Sequence, residues 1–232
     1  KLCSKMGIYT RIVTNSFWAK TEAASDALVT QLKENGLCQL RLSYSRWHQK
    51  QVPRINVVNA ADSCQRFGLN YFVSFVTDFS IEDDAYELFL RNQGLRFFPE
   101  PVIYAGRASA FKPRQILTDY QANCCEMNPY LTPDLDMFAC CDAGSHFSKT
   151  DFFHLGNLKN KTIEQLFVKT ETESLYKLIR TMGITQIASF AGMKGREIIT
   201  HSKCALCQKL FNSPETLARL RADLSRLEAW TR

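Results

Sequence analysis

One unit recurs through the first half of the chain: a helical segment closes on glycine, and a β-branched strand begins at once or one residue later. "TEAASDALVTQLKENG" (21–36) carries Ala24, Ala27, Leu28 and Leu32 at helical spacing and ends at Gly36, and "LCQLRLSYS" (37–45) follows as a strand. "RINVVNAADSCQRFG" (54–68) ends at Gly68 and passes into "LNYFVSFVTDF" (69–79). "IEDDAYELFLRNQG" (81–94), acidic in its first turn, ends at Gly94 before "LRFFPEPVIYAG" (95–106), where Pro99 and Pro101 disturb the start of the strand. Glycine suits these positions because a helix is readily left through a left-handed residue, which costs least without a Cβ. With "GIYTRIVTN" (7–15) as the first strand, the order is β-α-β-α-β-α-β. The expected class is α/β, with a parallel sheet and right-handed crossovers. "KLCSKMG" ahead of "IYTRIVT" repeats the grammar. Residue 1 is therefore expected to lie in the last turns of a helix, with further α/β structure before it.

Polar residues gather where these strands end: Thr14 and Asn15, then Ser43, Ser45 and His48, then Asp78, then Arg107. In parallel α/β sheets and barrels, ligands bind beyond the C-terminal ends of the strands, so this edge is the first candidate for a site. No run of about 18 apolar residues occurs and no signal-peptide pattern opens the chain, so no membrane partner is expected. The formal charge of +6 is spread along the sequence without a basic block, which argues against a nucleic-acid partner.

The second half, after "GRASAFKPRQ" (106–115), is loop-rich and holds six of the nine cysteines. "YLTPDLDMFACC" (130–141) suggests a turn at Pro133–Asp134 leading into a short strand, and "LGNLKNKTIEQLF" (155–167) a turn and a short helix. "ETESLYKLIRTMG" (171–183) reads as an amphipathic helix with Leu175, Leu178, Ile179 and Met182 on one face. "SPETLARLRADLSRLEAW" (213–230) has Ser213 as N-cap and Pro214 at the first helical position. Its Leu217, Leu220, Leu224 and Leu227 form a stripe expected to dock onto the body of the protein.

The six late cysteines are a doublet (Cys124, Cys125), a second doublet (Cys140, Cys141) and a C-x-x-C pair (Cys204, Cys207). An odd total excludes full disulfide pairing, and without a secretion signal the cysteines point to a reducing compartment, the cytoplasm. A four-thiolate site would take one ligand from each doublet and both from the C-x-x-C. Such tetrahedral sulfur ligation suits zinc or an iron–sulfur cluster. The alternatives are buried structural cysteines or a thioredoxin-like redox pair. The redox pair wants its motif directly after a strand at a helix N-terminus, whereas this one reads as following a loop.

Taken in order, these segments resemble the radical S-adenosylmethionine (SAM) enzymes. "GIYTRIVTNSFWA" resembles a core strand with its "TNG"-type ending. "LRLSYSRWHQKQVP" is similar to the next strand and loop, and "EPVIYAGRA" to the last core strand. "CC…PDLDMFACC…LGNLKNKTIEQL…CALC" resembles the auxiliary-cluster extension called SPASM or, in shorter form, twitch. The resemblance implies a partial parallel (β/α) barrel of about four strands over 1–112 and a small cysteine-rich α+β domain over 113–232. It places Asn15 and Ser43 by the SAM and substrate pocket and matches His48 to a recurrent histidine. It assigns one auxiliary 4Fe-4S cluster to Cys140 (or Cys141), Cys204, Cys207 and one of Cys124 and Cys125. The family's C-x-x-x-C-x-x-C motif and its "GGEP"-type segment are absent, and Cys3 and Cys38 rebuild neither. The chain is therefore expected to be the C-terminal part of a longer enzyme, or half of a split one. The missing part would carry the second 4Fe-4S cluster that cleaves SAM, and the whole would act on a peptide or small molecule by hydrogen abstraction. The rival expectation is a non-catalytic scaffold, zinc-stapled or degenerate, that binds a peptide or nucleic acid.

Overall fold

The glycine-closed helices and their strands form where the periodicity puts them. A computed structural model describes residues 1–103, 108, 110–111, 128–141, 152–200, 203–224 and 226. The chain divides into two compact units, Lys1–Val102 and Ile103–Arg232.

In the first unit the order is α1 (Leu2–Lys5), β1 (Arg11–Thr14), α2 (Glu22–Glu34), β2 (Gln39–Tyr44), α3 (Arg54–Phe67), β3 (Asn70–Thr77), α4 (Ile81–Asn92) and β4 (Phe97–Pro101). The strands form one parallel sheet in the spatial order β1-β2-β3-β4. Right-handed crossovers between successive neighbours carry every helix to the same face. The core agrees: Leu40, Leu42, Tyr44, Tyr71, Val73 and Phe75 of the sheet pack in one cluster with Val29 of α2, Ala60 and Cys64 of α3 and Leu90 of α4. Burying side chains of this size stabilises by about 1.5–3 kcal/mol each. Tyr44 stacks on Phe89 of α4 at 6.0 Å, fixing that helix against β2. Pro99 and Pro101 lie within β4, where the sequence reading had them disturb the strand. The strand tolerates them because it sits at the sheet edge, where a residue without N–H can face away from the ladder.

The second unit opens with an antiparallel three-stranded sheet: β5 (Tyr130–Leu131), β6 (Asp136–Phe138) and β7 (His154–Asn157). The expected turn at 133–134 joins β5 to β6, and the turn and helix expected within 155–167 lie at 158–160 and from Ile163; residues 155–157 ahead of them are strand, because β6 offers them a partner. Among the described residues there follow α5 (Ile163–Thr172), α6 (Ser174–Met182), α7 (Ile184–Phe190), α8 (Lys203–Phe211) and α9 (Pro214–Ala222). α5 starts at a capping box in which the Thr162 side chain accepts from Gln165 N and the Gln165 side chain accepts from Thr162 N. The helix expected from 171 is divided at Glu173, whose ψ of 113° ends α5 and opens α6. Leu175, Leu178, Ile179 and Met182 are all buried, as their spacing predicts. Leu217 and Leu220 of α9 are buried in the same core and Leu224 packs against it, whereas Leu227 lies outside the described residues. α7 had no counterpart in the sequence reading.

The glycines that close α2, α3 and α4 take positive φ. At Gly36 a Cβ would also come within 2.4 Å of the Ser4 side chain, whereas at Gly94 it would meet nothing within 4 Å. Gly36→Ala should therefore cost clearly more than Gly94→Ala, whose penalty of about 1 kcal/mol is the backbone strain alone. Urea unfolding of the two variants checks this, and equal losses would contradict it.

Candidate functional site

Because α2, α3 and α4 sit on one face, the other face of the parallel sheet is lined by the alternate residues. The register arranges them in rows. Arg11 stands beside Gln39, then Val13 beside Arg41 and Phe72, with Arg96 next in line before the Val73–Phe97 pair. The following row holds Ser43, Ser74 and Phe98, and Asn15 is the next residue along from the Thr14–Leu42 pair, beside Ser43. The face is polar and knit together. Arg11 Nε donates to Gln39 Oε1 at 2.5 Å, and Arg41 donates to Ser74 Oγ at 2.9 Å and pairs with Glu100. Ser74 Oγ also donates to Glu100 Oε2 at 2.7 Å. The sequence reading overlooked this face, although the alternation Gln39-x-Arg41-x-Ser43 in β2 already signals a strand with one polar side.

The strand ends are held by an ion cluster. Arg46, just past β2, donates through both terminal nitrogens to Asp78 past β3 (3.0 and 2.7 Å), and to Ser80 at 2.7 Å and Asp83 of α4 at 2.9 Å. Asp83 also accepts from Thr77 Oγ1 and Asp78 N. The guanidinium lies 4.2 Å from the Trp47 ring centroid. Burial opposes ionisation of Asp78, but hydrogen bonds from Arg46 and Ser80 outweigh it and hold the carboxyl down at about 2. Beside this cluster, Ser45 Oγ accepts from His48 N and lies 2.6 Å from His48 Nδ1, and burial lowers the His48 pKa below its ordinary value.

The loop after β1 is pinned from α3. Asn56 Nδ2 donates to the carbonyls of Ser16 and Phe17, and Asn59 Nδ2 to that of Ala19. Ser16 is fully buried with φ of 62°, and Phe79, after β3, has φ of 57°. Such left-handed non-glycine residues persist where neighbours over-determine them. Asn15 is exposed, and its Oδ1 accepts from Phe17 N at 3.1 Å, a local turn. The structure thus brings Asn15 and Ser43 to one edge. Arg107 lies outside the described residues.

Of the thiols, Cys124 and Cys125 lie outside the described residues. Cys140 is buried at the end of the β6 segment, and Cys141, Cys204 and Cys207 are half-buried. From the sequence the C-x-x-C is read as following a loop, and no helix is expected to carry it. It occupies the first turns of α8, one helical turn separating the two sulfurs' residues. Cys140 belongs to the core of the second unit and Cys207 packs against it. Both lie near Tyr176, whose phenol is raised by burial first, then by the charge of Glu173, with smaller contributions from Cys140 and Cys207. Tyr176 Oη donates to the carbonyl of Phe152, and its ring stacks on Phe152 at 4.7 Å. Among the described residues no three or more His, Cys, Asp and Glu side chains stand close enough to hold a metal ion. The three described members of the expected ligand set, Cys140 (or Cys141), Cys204 and Cys207, are therefore not gathered into a metal-holding group.

A scan against models of known protein families finds no match, and a search of curated protein sequences finds none either.

Arg46→Met should destabilise the first unit by about 3–5 kcal/mol, because it leaves two buried carboxylates without a counter-charge. Removing both carboxylates as well (Asp78→Asn with Asp83→Asn) should recover most of the loss, and chemical unfolding followed by Trp47 fluorescence measures both. Asp78 has a depressed pKa, so its contribution is present above its ordinary value of 3.8 and lost as pH falls towards about 2.

Proposed function

We propose that the chain is the C-terminal portion of a radical SAM oxidoreductase or maturase, with the first unit forming part of a (β/α) barrel wall and the second carrying an auxiliary iron–sulfur cluster. The observation that carries this reading is the sheet. Four parallel strands run in sequential order with helices on one face and a polar second face. Parallel sheets are almost always covered on both faces, and a sheet wound in one direction with a polar inner face is suited to curling around a ligand.

Two further features support it. β1 pairs on one side only among the described residues, and Ile12 and Val13 are exposed. Beside it lies a groove of about 350 Å³ lined by Leu2, Cys3, Thr10, Ile12, Leu32 and Leu37. A further parallel strand, from a preceding segment or a separate polypeptide, would complete the ladder there. The strand-end loops, held by Arg46 and Asn56, would present Asn15 and Ser43 towards SAM and substrate. In the second unit the ligands would be Cys140 (or Cys141), Cys204, Cys207 and one of Cys124 and Cys125. Bound there, a cluster would supply an electron or a substrate anchor, with its potential tuned by burial and thiolate ligation. The protein's own part is the apolar wall of Tyr176, Phe152 and Phe211, which would shield that site from water.

Protein purified without oxygen should be brown, with about four iron and four sulfide per chain. Cys204→Ala and Cys207→Ala should abolish that content, and Cys64→Ala should not. Cys64 is buried inside α3 and its thiol is pushed up to about 12 by burial. Colourless protein with one zinc per chain, or equal loss in all three variants, would overturn the cluster.

A further inference from the structure

The polar face of the parallel sheet carries more positive charge than it answers. Arg11, Arg41 and Arg96 project onto it from β1, β2 and the approach to β4, interleaved with Phe72 and Phe98. Arg11 and Arg41 lie 5.6 and 5.9 Å from the Phe72 ring centroid, and Arg96 lies 5.7 Å from that of Phe98. Phe72 and Phe98 meet edge-on at 5.6 Å, so the five side chains form one continuous ladder. Among the described residues, Glu100 is the one carboxylate that pairs with any of the three guanidinium groups, and it takes Arg41. Arg11 and Arg96 form no ion pair among the described residues, and both are exposed.

We propose that this arginine–phenylalanine face binds an acidic polypeptide through its carboxylate side chains. A guanidinium held against an aromatic ring keeps its in-plane N–H groups free for a bidentate carboxylate. Gln39 fixes Arg11 further by accepting from its Nε, which leaves the two terminal nitrogens to face a ligand. Three cations against one anion supply the charge complement, and strands about 4.8 Å apart set the cations at spacings a peptide's side chains can span. Single-stranded nucleic acid is the lesser candidate. Base stacking needs an open ring face, and Phe72 already has two guanidinium groups over it and Phe98 one. The proposal rests on the catalytic reading only in making that polypeptide the substrate; the binding stands apart from it.

Fluorescence anisotropy of labelled hexaglutamate against the whole chain tests this, with hexalysine and hexauridylate as comparisons. Hexaglutamate is expected to bind, to weaken with salt, and to outcompete hexauridylate. Arg11→Gln and Arg96→Gln should each weaken it about fivefold, the size of one exposed ion pair. Glu100→Gln should tighten it about threefold, because it removes the competing anion and releases Arg41. That gain is a result a merely structural role would not produce. No binding at 0.15 M salt, unchanged affinity in all three variants, or tighter binding of hexauridylate would overturn the proposal. Iron content read on the same samples separates the two ideas. Brown protein that ignores hexaglutamate refutes only the acidic ligand, and colourless protein that binds it refutes only the cluster.

Discussion

Everything in the first unit depends on the one-sided burial of its sheet. Leu40, Leu42 and Val73 are completely buried, and they face α2, α3 and α4 together. Sequential parallel order leaves no crossover to place a helix on the other side. The opposite residues must then be soluble or meet a ligand, so β2 reads as an alternation instead of the continuous apolar run of a doubly covered strand. The arginine–phenylalanine ladder and the serines above it follow from that constraint. The aromatic rings give the sheet lateral packing on a wet face, and the guanidinium groups cover the rings without removing their own charge from water.

The strand ends are fixed separately, at the rim of the sheet. Arg46 holds those of β2 and β3. It ties the exit of β2 to the exit of β3 and to the first turn of α4, so the β2–α3 and β3–α4 connections share one buried charge cluster. With the geometry set there, Phe79 is held in its left-handed conformation by its neighbours, Phe79 N donating to Thr77 Oγ1 at 2.8 Å. Ser16 is held in the same way across the edge, by Asn56.

The helix–glycine–strand grammar was legible in sequence because it is local: glycine at a helix end and period-two alternation act within a few residues. Asn15 and Ser43 were legible as strand-end residues for the same reason. What was hidden is long-range. Nothing in "SRWHQ" announces that Arg46 will meet carboxylates 32 and 37 residues away, and nothing near Phe72 announces that Arg11 and Arg96 will flank it. Register decides both, and register is a property of pairs of strands. The division of the helix at Glu173 and the existence of α7 escaped for a different reason. The 171–190 stretch contains only one glycine and no proline, so local punctuation gave little sign of a break at 173.

The placement of Cys204 and Cys207 on α8 removes one ground for setting aside thiol–disulfide exchange, because a helix N-terminus is where reactive dithiols sit. The surroundings gather no ligand set around the pair: among the described residues no group of three or more His, Cys, Asp and Glu side chains could hold a metal ion. Exchange requires that a sulfur be reachable by another molecule's thiolate; Cys204 and Cys207 are half-buried, whereas Cys140 is buried. It shares with Cys207 the flank of Tyr176, whose hydroxyl is already given to the Phe152 carbonyl. Phe152 and Phe211 stack at 4.4 Å behind it. Half-buried thiols in the first turns of a helix meet the requirement of reach that the buried Cys140 does not.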